Sequence, residues 1–341
     1  LRVLVAEDSV TARELLVAIL RSDSEIVVVG EAKNGAEAVA MTKQLRPDVV
    51  TMDIRMPTVD GFEATRQIMV EAPTPIVIVS GTVDGHDVET SLHALRAGAL
   101  TVMGKPPGPD SVGFEDACRH LVRTIKAMAA VKVVRRWPDR RRQRRASATT
   151  AQRARPRIVA IAASTGGPAA LARILSDLPP DFDLPIVVVQ HIASGFAEGL
   201  AAWLNTLASL PVKVARDGDA LRPGSVLVAP DDAHVKIADP CTVGISHEPP
   251  VTGFRPSGSV LFETAAHVFG SAAVAVILTG MGEDGVAGLR AVRQSGGRII
   301  AQDEATSVVF GMPGAAVAAG LPDMLLPLDA IPSCLQELVR A

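Results

Sequence analysis

The sequence predicts an α/β protein of two doubly wound domains, each a parallel sheet with helices on both faces. Three observations lead there. Short apolar bursts alternate with amphipathic stretches of helical period in both halves of the chain. The bursts are aliphatic, as strands buried on both faces must be: hydrophobic residues make up 48% of the chain and aromatic ones only 3%. An arginine-rich, apolar-poor stretch over 133–157 separates the two alternating regions. The 341 residues exceed one ordinary domain and suit two.

In the first half, "VLVA", "IVVVG", "DVVTMD", "PIVIVS" and "ALTVMG" read as buried strands. "VTARELLVAIL", "GAEAVAMTKQL", "GFEATRQIMV", "HDVETSLHALRAG" and "VGFEDACRHLVRTIKAM" read as the helices that follow them. This domain is expected over 1–128. A linker is expected over 129–156: the basic stretch reads as such rather than as a nucleic-acid arm, since it lacks interleaved aromatics beyond Trp137. The second domain is expected over 157–341. Its strands are "IVAIAA", "LPIVVVQ", "AVAVILTG" and "GRIIAQ", and the short runs "SVLVAP", "HVKIA" and "TVGIS" suggest a hairpin-like insertion.

A net charge of −3 favours no particular partner. Cys118, Cys241 and Cys334 form no metal-ligand spacing, and an odd count suits a reducing compartment. The N-terminus carries charges at once and has no long apolar h-region, so it does not read as a signal peptide, and no apolar run reaches membrane-spanning length. The expectation is a cytoplasmic protein that neither inserts in a membrane nor binds nucleic acid.

Polar residues in the first half fall at strand ends: Glu7 and Asp8 after the first, Asp53 after the third, Ser80 at the fourth and Lys105 at the fifth. In an open parallel sheet these ends share one edge, where ligands bind. Three converging carboxylates repel one another unless a hard cation sits among them, and Mg²⁺ suits such oxygen ligands. Asp53 is then the natural phosphoryl acceptor, forming an acyl phosphate, with Ser80 and Lys105 on the phosphoryl oxygens. "AEDS", "DVVTMDIRMPTVDG", "IVIVSG" and "GKP" closely resemble the receiver domain of bacterial response regulators. The resemblance implies a flavodoxin-like five-stranded fold and phosphorylation of Asp53 by a histidine kinase. It also implies Mg²⁺ held by Glu7, Asp8, Asp53 and the backbone carbonyl of Arg55. Receivers often carry an aromatic residue three positions before the lysine, where Val102 stands here.

In the second half, "IAASTGGPAAL" breaks a buried strand at Ser164. No lysine follows the glycines, so this is not a phosphate loop, and neither the dinucleotide motif nor the G-x-S-x-G elbow is matched. A nucleophile fits better. Gly166 and Gly167 allow a sharp turn, Pro168 suits a first helical turn, and a helix N-terminus favours developing oxyanion charge. Of seven histidines, only His191 directly follows a long buried run. The base needs an orienting carboxylate, and Asp284, Glu283 and Asp303 all follow buried strands. Asp284 is preferred because it follows the Gly280-Met281-Gly282 turn, whose N–H groups can serve an oxyanion. No cofactor is needed for such a reaction.

"ASTGGP", "VVVQHI", "FRPSGSVLFETAA", "ILTGMGEDG" and "GMPGAAVAAG" resemble the catalytic domain of chemotaxis protein-glutamate methylesterases, the CheB family. Receiver, linker and catalytic domain stand in that family's order. The resemblance implies a Ser164–His191–Asp284 hydrolase that demethylates glutamyl methyl esters on the cytoplasmic domains of chemoreceptors and deamidates particular glutamines. It implies a CheA-type histidine kinase as phosphodonor, Thr165 supporting the histidine and the Met281 N–H serving the oxyanion. It implies, too, that the unphosphorylated receiver blocks the site. The sequence departs at Ala162, at Ile192-Ala193 and at Phe254, where the family commonly has Gly, Met-Pro and Tyr. The rival reading is a response regulator with a non-enzymatic output domain, which would want a helix-turn-helix or a basic face.

Overall fold

The structure, a computed structural model, describes residues 1–81, 99–111, 113–129, 154–192 and 195–340. The helix expected over 86–98, with His86 and His93, most of the basic stretch, and Ala193 lie outside the described residues. The chain divides into two compact units, Leu1–Arg140 and Arg141–Ala341. Among the described residues no helix is long and apolar enough to cross a membrane.

The first unit holds β1 (Arg2–Ala6), β2 (Val27–Ala32), β3 (Val49–Met52), β4 (Ile76–Ser80) and β5 (Thr101–Gly104). They form one parallel sheet in the order β2-β1-β3-β4-β5. Helices α1 (Val10–Arg21), α2 (Gly35–Leu45), α3 (Gly61–Glu71) and α4 (Phe114–Ala129) flank it. Side-chain caps start the first three: Ser9 accepts from the Ala12 N–H, Asn34 from Glu37, and Asp60 from Phe62 and Glu63. Leu4, Met52, Ile68, Ile76 and Ile78 fill the core without exposure. Val102 packs against that core, half-buried. Strand order reverses between β1 and β3, and a crevice opens at such a switch point.

The second unit holds β6 (Ile158–Ala163), β7 (Ile186–Gln190), β8 (Val212–Val214), β9 (Val226–Val228), β10 (His234–Ile237), β11 (Val243–Ser246), β12 (Ala273–Ile277), β13 (Arg298–Gln302) and β14 (Met324–Leu326). Seven of these make a parallel sheet in the order β14-β13-β12-β6-β7-β9-β8, and β10 and β11 pair as an antiparallel hairpin. The run "SVLVAP" therefore belongs to the main sheet as β9, paired in parallel with β7, and only the other two short runs form the hairpin. Helices α5 (Gly167–Asp177), α6 (Ala197–Leu207), α7 (Gly258–Phe269), α8 (Val286–Gln294), α9 (Met312–Ala318) and α10 (Ile331–Arg340) complete the unit. The order reverses at β6, which runs between β7 and β12, so the switch point lies at Ser164.

Phe262, on α7, is fully buried and shares its core with Ile277 and Leu289. Phe262→Ala is expected to destabilise the second unit by about 3–5 kcal/mol. Urea unfolding followed by circular dichroism checks this: a midpoint within error of the parent's would mean the core collapses freely around the loss.

Candidate functional site

At the C-terminal edge of the first sheet, carboxylate oxygens of Glu7, Asp8 and Asp53 lie within 4.8 Å of one another. Glu7 has no exposure and Asp53 only 5%, while Asp8 is exposed. Lys105 Nζ donates to Glu7 Oε1 at 2.9 Å and to Asp53 Oδ2 at 3.0 Å. It also lies 2.8 Å from Glu7 Oε2. That oxygen is outside hydrogen-bond geometry, buried and without a donor. Ser80 is brought beside the lysine by the Lys105 N–H donating to its carbonyl at 2.7 Å. Burial, together with the nearby Asp53 charge, raises the Glu7 carboxyl above its ordinary value despite Lys105. Burial alone would lower the Lys105 ammonium, but the bonds to Glu7 and Asp53 prevail and raise it. Three carboxylates gathered this closely around one ammonium fit the oxygen ligand set of a hard cation. Arg13, which the sequence reading passed over, is buried and donates to the carbonyls of Glu7 and Asp8 at 2.8 and 3.3 Å, fixing the acidic turn.

In the second unit the predicted serine, histidine and aspartate follow three adjacent strands. Ala163 pairs with Gln190 across β6 and β7, so Ser164 and His191 are the next residues on neighbouring strands about 4.8 Å apart. Ser164 N–H donates to Thr279 O at 3.0 Å, tying its turn to the end of β12. His191 Nε2 meets Asp284 Oδ2 at 2.9 Å. The proton between them belongs on Nε2 of the neutral ring, which leaves Nδ1 as the basic nitrogen. Nδ1 is buried and unpartnered among the described residues. The ring is thus turned the opposite way to the arrangement in which Nδ1 faces the carboxylate and Nε2 the serine. Phe254 stacks on the imidazole, with centroids 4.1 Å apart and planes 7° from parallel. That contact shields one ring face from water and restricts its rotation.

Asp284 is 1% exposed. Besides His191 it accepts from Ser257 Oγ at 2.7 Å, the Gly258 N–H at 2.6 Å and the Ser259 N–H at 3.2 Å. The last two groups open α7, so the carboxylate sits in the positive field of that helix start. Burial pushes the carboxyl up, but His191, Ser257 and Gly258 together hold it down at about 2. Ser257 is itself fixed, since its N–H donates to Nδ1 of the buried His234 at 3.2 Å.

The other candidates stand elsewhere. Glu283 is exposed. Asp303 accepts from the N–H and hydroxyl of Thr306, at 3.0 and 2.6 Å, and closes its own turn. Thr165 is half-buried, and its carbonyl accepts from Thr279 Oγ1 at 2.9 Å. The Met281 N–H has no acceptor among the described residues. Gly280 passes close to the serine: a Cβ there would stand 2.7 Å from Ser164 Cβ. Sequence reasoning gave Phe254, Ser257 and Ser259 no contact with His191 or Asp284, although all three lie in a quoted motif. The one sequence signal of the two serines is the N-cap pattern Ser-Gly-Ser ahead of an apolar helix.

A receiver-type acidic pocket and, on a second parallel sheet, a serine, a carboxylate-bound histidine and a buried aspartate define a response regulator with a hydrolase output. The family model "CheB methylesterase" matches residues 159–335 and "Response regulator receiver domain" matches 3–112. The chain is 54% identical to a protein-glutamate methylesterase/protein-glutamine glutaminase of Myxococcus xanthus, covering 100% of this chain and 97% of the relative. A protein of the same description from Anaeromyxobacter dehalogenans is 54% identical, with 97% of each chain covered. The crystal structure of the Thermotoga maritima CheB methylesterase catalytic domain matches with TM-score 0.53 and 41% identity, covering 54% of this chain and 99% of that one. The chain belongs to the CheB methylesterase family and carries a response regulator receiver domain.

Asp284 also links the site to stability. Its folded carboxyl value, about 2, lies below the ordinary 3.8. The stabilisation is therefore complete above the ordinary value and is lost as pH falls towards 2, at a size of about 2 kcal/mol. Relative to Asp284→Asn, the parent is expected to hold a higher urea midpoint at pH 7, with the gap closing between about pH 4 and pH 2. A gap unchanged over that range would assign the stabilisation to the amide-compatible hydrogen bonds and not to the charge.

Proposed function

We propose that this chain is a phosphorylation-regulated serine hydrolase that removes methyl groups from glutamyl methyl esters on the cytoplasmic domains of chemoreceptors, and deamidates particular receptor glutamines. The observation that carries this reading is the His191–Asp284 contact, with Nδ1 left bare beside the strand end that bears Ser164. In the proposed reaction Ser164 Oγ attacks the ester carbonyl while His191 Nδ1 takes its proton. Asp284 stabilises the imidazolium, and the Met281 N–H receives the oxyanion, with Thr165 supporting the histidine. The imidazolium gives that proton to the departing methoxide oxygen, so methanol leaves and an acyl-enzyme remains. Water deprotonated by His191 then releases glutamate. A glutamine takes the same course and releases ammonia.

Control is assigned to a receiver over 1–128, joined through a linker at 129–156 to a catalytic domain over 157–341. The Asp53 carboxylate takes the phosphoryl group from a CheA-type histidine kinase, forming an acyl phosphate whose oxygens meet Lys105 and Ser80. Glu7, Asp8, Asp53 and the Arg55 carbonyl would hold Mg²⁺, which offsets the charge of the incoming phosphoryl group. The protein is assigned to the cytoplasm, where both partners are reached.

Methanol release from a methylated receptor fragment, measured with and without acetyl phosphate, tests the whole reading. Ser164→Ala is expected to abolish release with the fold intact, and near-parental turnover would remove the serine mechanism. Asp53→Asn is expected to keep a low basal rate that acetyl phosphate with Mg²⁺ no longer raises; a normal response would deny Asp53 sole control.

A further inference from the structure

Gln190, the last residue of β7, is a polar side chain at the end of an aliphatic strand and is only 3% exposed. Its amide Nε2 donates to Ser164 O at 2.7 Å and to His191 O at 2.9 Å. One NH₂ group thus bridges the backbone of the nucleophile's turn and the backbone of the base. The Ser164 carbonyl also accepts from the Gly167 N–H at 2.8 Å, so both its lone pairs are taken. The Ser164 N–H is held by Thr279, and the His191 N–H donates to Ala163 O at 2.9 Å. Every main-chain polar group of Ser164 and His191 is therefore engaged, and the two residues share a single side chain.

The far end of the amide is closely packed. Gln190 Oε1 is buried without a donor and lies against Gly167, where a Cβ would come within 2.0 Å of it. Gly167 opens α5, and the missing Cβ leaves room for that oxygen. A glutamine before the histidine and a glycine three residues after the serine fit one another.

We infer that Gln190 is a positioning residue for the hydrolytic reaction: its two N–H groups fix the spacing between Ser164 and His191. The inference rests on the serine mechanism proposed above. No hydrogen bond joins the Ser164 hydroxyl to His191 among the described residues, so their approach depends on how firmly the two backbones are held. Reactions of positioned groups are sensitive to such spacing, and an error of about 1 Å costs up to about a hundredfold in rate.

The test uses the full-length chain with Gln190→Met, which keeps the length and loses both donors, and Gln190→Glu, which keeps the shape and cannot donate as the carboxylate. Methanol release and the rate of Ser164 labelling by a fluorophosphonate probe are measured across pH, alongside thermal melting. For Gln190→Met we expect kcat and the labelling rate to fall together by about ten- to a hundredfold. KM should stay within about twofold, and the pH of the acid limb should not move, because geometry changes and charge does not. Gln190→Glu should lose at least as much kcat. A folded variant of either kind with parental kcat, or a loss confined to KM, would overturn the inference. So would two variants that both fail to fold, since Gln190 would then serve the fold and not the reaction. Failure of the serine mechanism itself reads out separately, as Ser164→Ala that still releases methanol or a parent chain inert to the probe.

Discussion

A carboxylate with almost no contact with water needs a donor for each lone pair, and the catalytic edge of the second sheet is arranged around that requirement at Asp284. Two of its donors are backbone N–H groups at the start of α7, one is the Ser257 hydroxyl and one is the His191 ring. The requirement then spreads. Gly258 has to approach closely, and a Cβ on it would stand 2.7 Å from Ala162 Cβ. Ser259 turns its hydroxyl to accept from the Gly285 N–H at 2.8 Å, anchoring the turn that carries the aspartate. Ser257 is locked from behind by His234, which reaches on to the Pro249 carbonyl at 3.2 Å. The β10–β11 hairpin, far along the chain from the serine, thereby bears on the orientation of the proposed base.

The first sheet uses the same edge with the opposite electrostatic result. Its carboxylates share one ammonium and crowd one another, so burial and the Asp53 charge raise the Glu7 carboxyl where the Asp284 carboxyl falls. A fully bonded carboxylate is a fixed anion that orients a neighbour. An under-bonded cluster is poised to take up a cation and a charged group. Burial alone separates neither case from the other; the count of donors does.

Much of this was legible in the sequence. Long aliphatic runs ending in Ser164, His191, Glu7 or Asp53 announce central parallel strands and their functional edge, because two-sided burial leaves no other place for a polar residue. The short strands β8 and β14 were not legible: each has three residues and lies at a sheet edge, too little pattern for a period of two to register. "SVLVAP" read as part of the insertion because a three-residue strand next to a hairpin looks the same until its partner β7 is known. The contacts of Phe254 and Gln190 escaped for another reason. A ring stacked at 4.1 Å and an amide shared by two carbonyls are relations between distant segments, and neither residue type carries a local signature of them.

Strand order also explains why serine, histidine and aspartate can occur in this chain order without strain. The serine follows β6, where the sheet reverses, and the histidine and the aspartate turn meet beside it. The chain lays β7 on one side of β6 and, after the excursion through β8, β9 and the hairpin, lays β12 on the other. Histidine therefore approaches from one flank, and the aspartate turn comes from the opposite flank. To meet that carboxylate the imidazole presents Nε2, the atom farther from its own backbone, and Nδ1 is left nearer the backbone that Gln190 ties to Ser164. The reversed ring follows from topology: with the acid across the strand that bears Ser164 and not beside the histidine's own, the longer reach of the ring goes to the acid and Nδ1 is left unpartnered among the described residues.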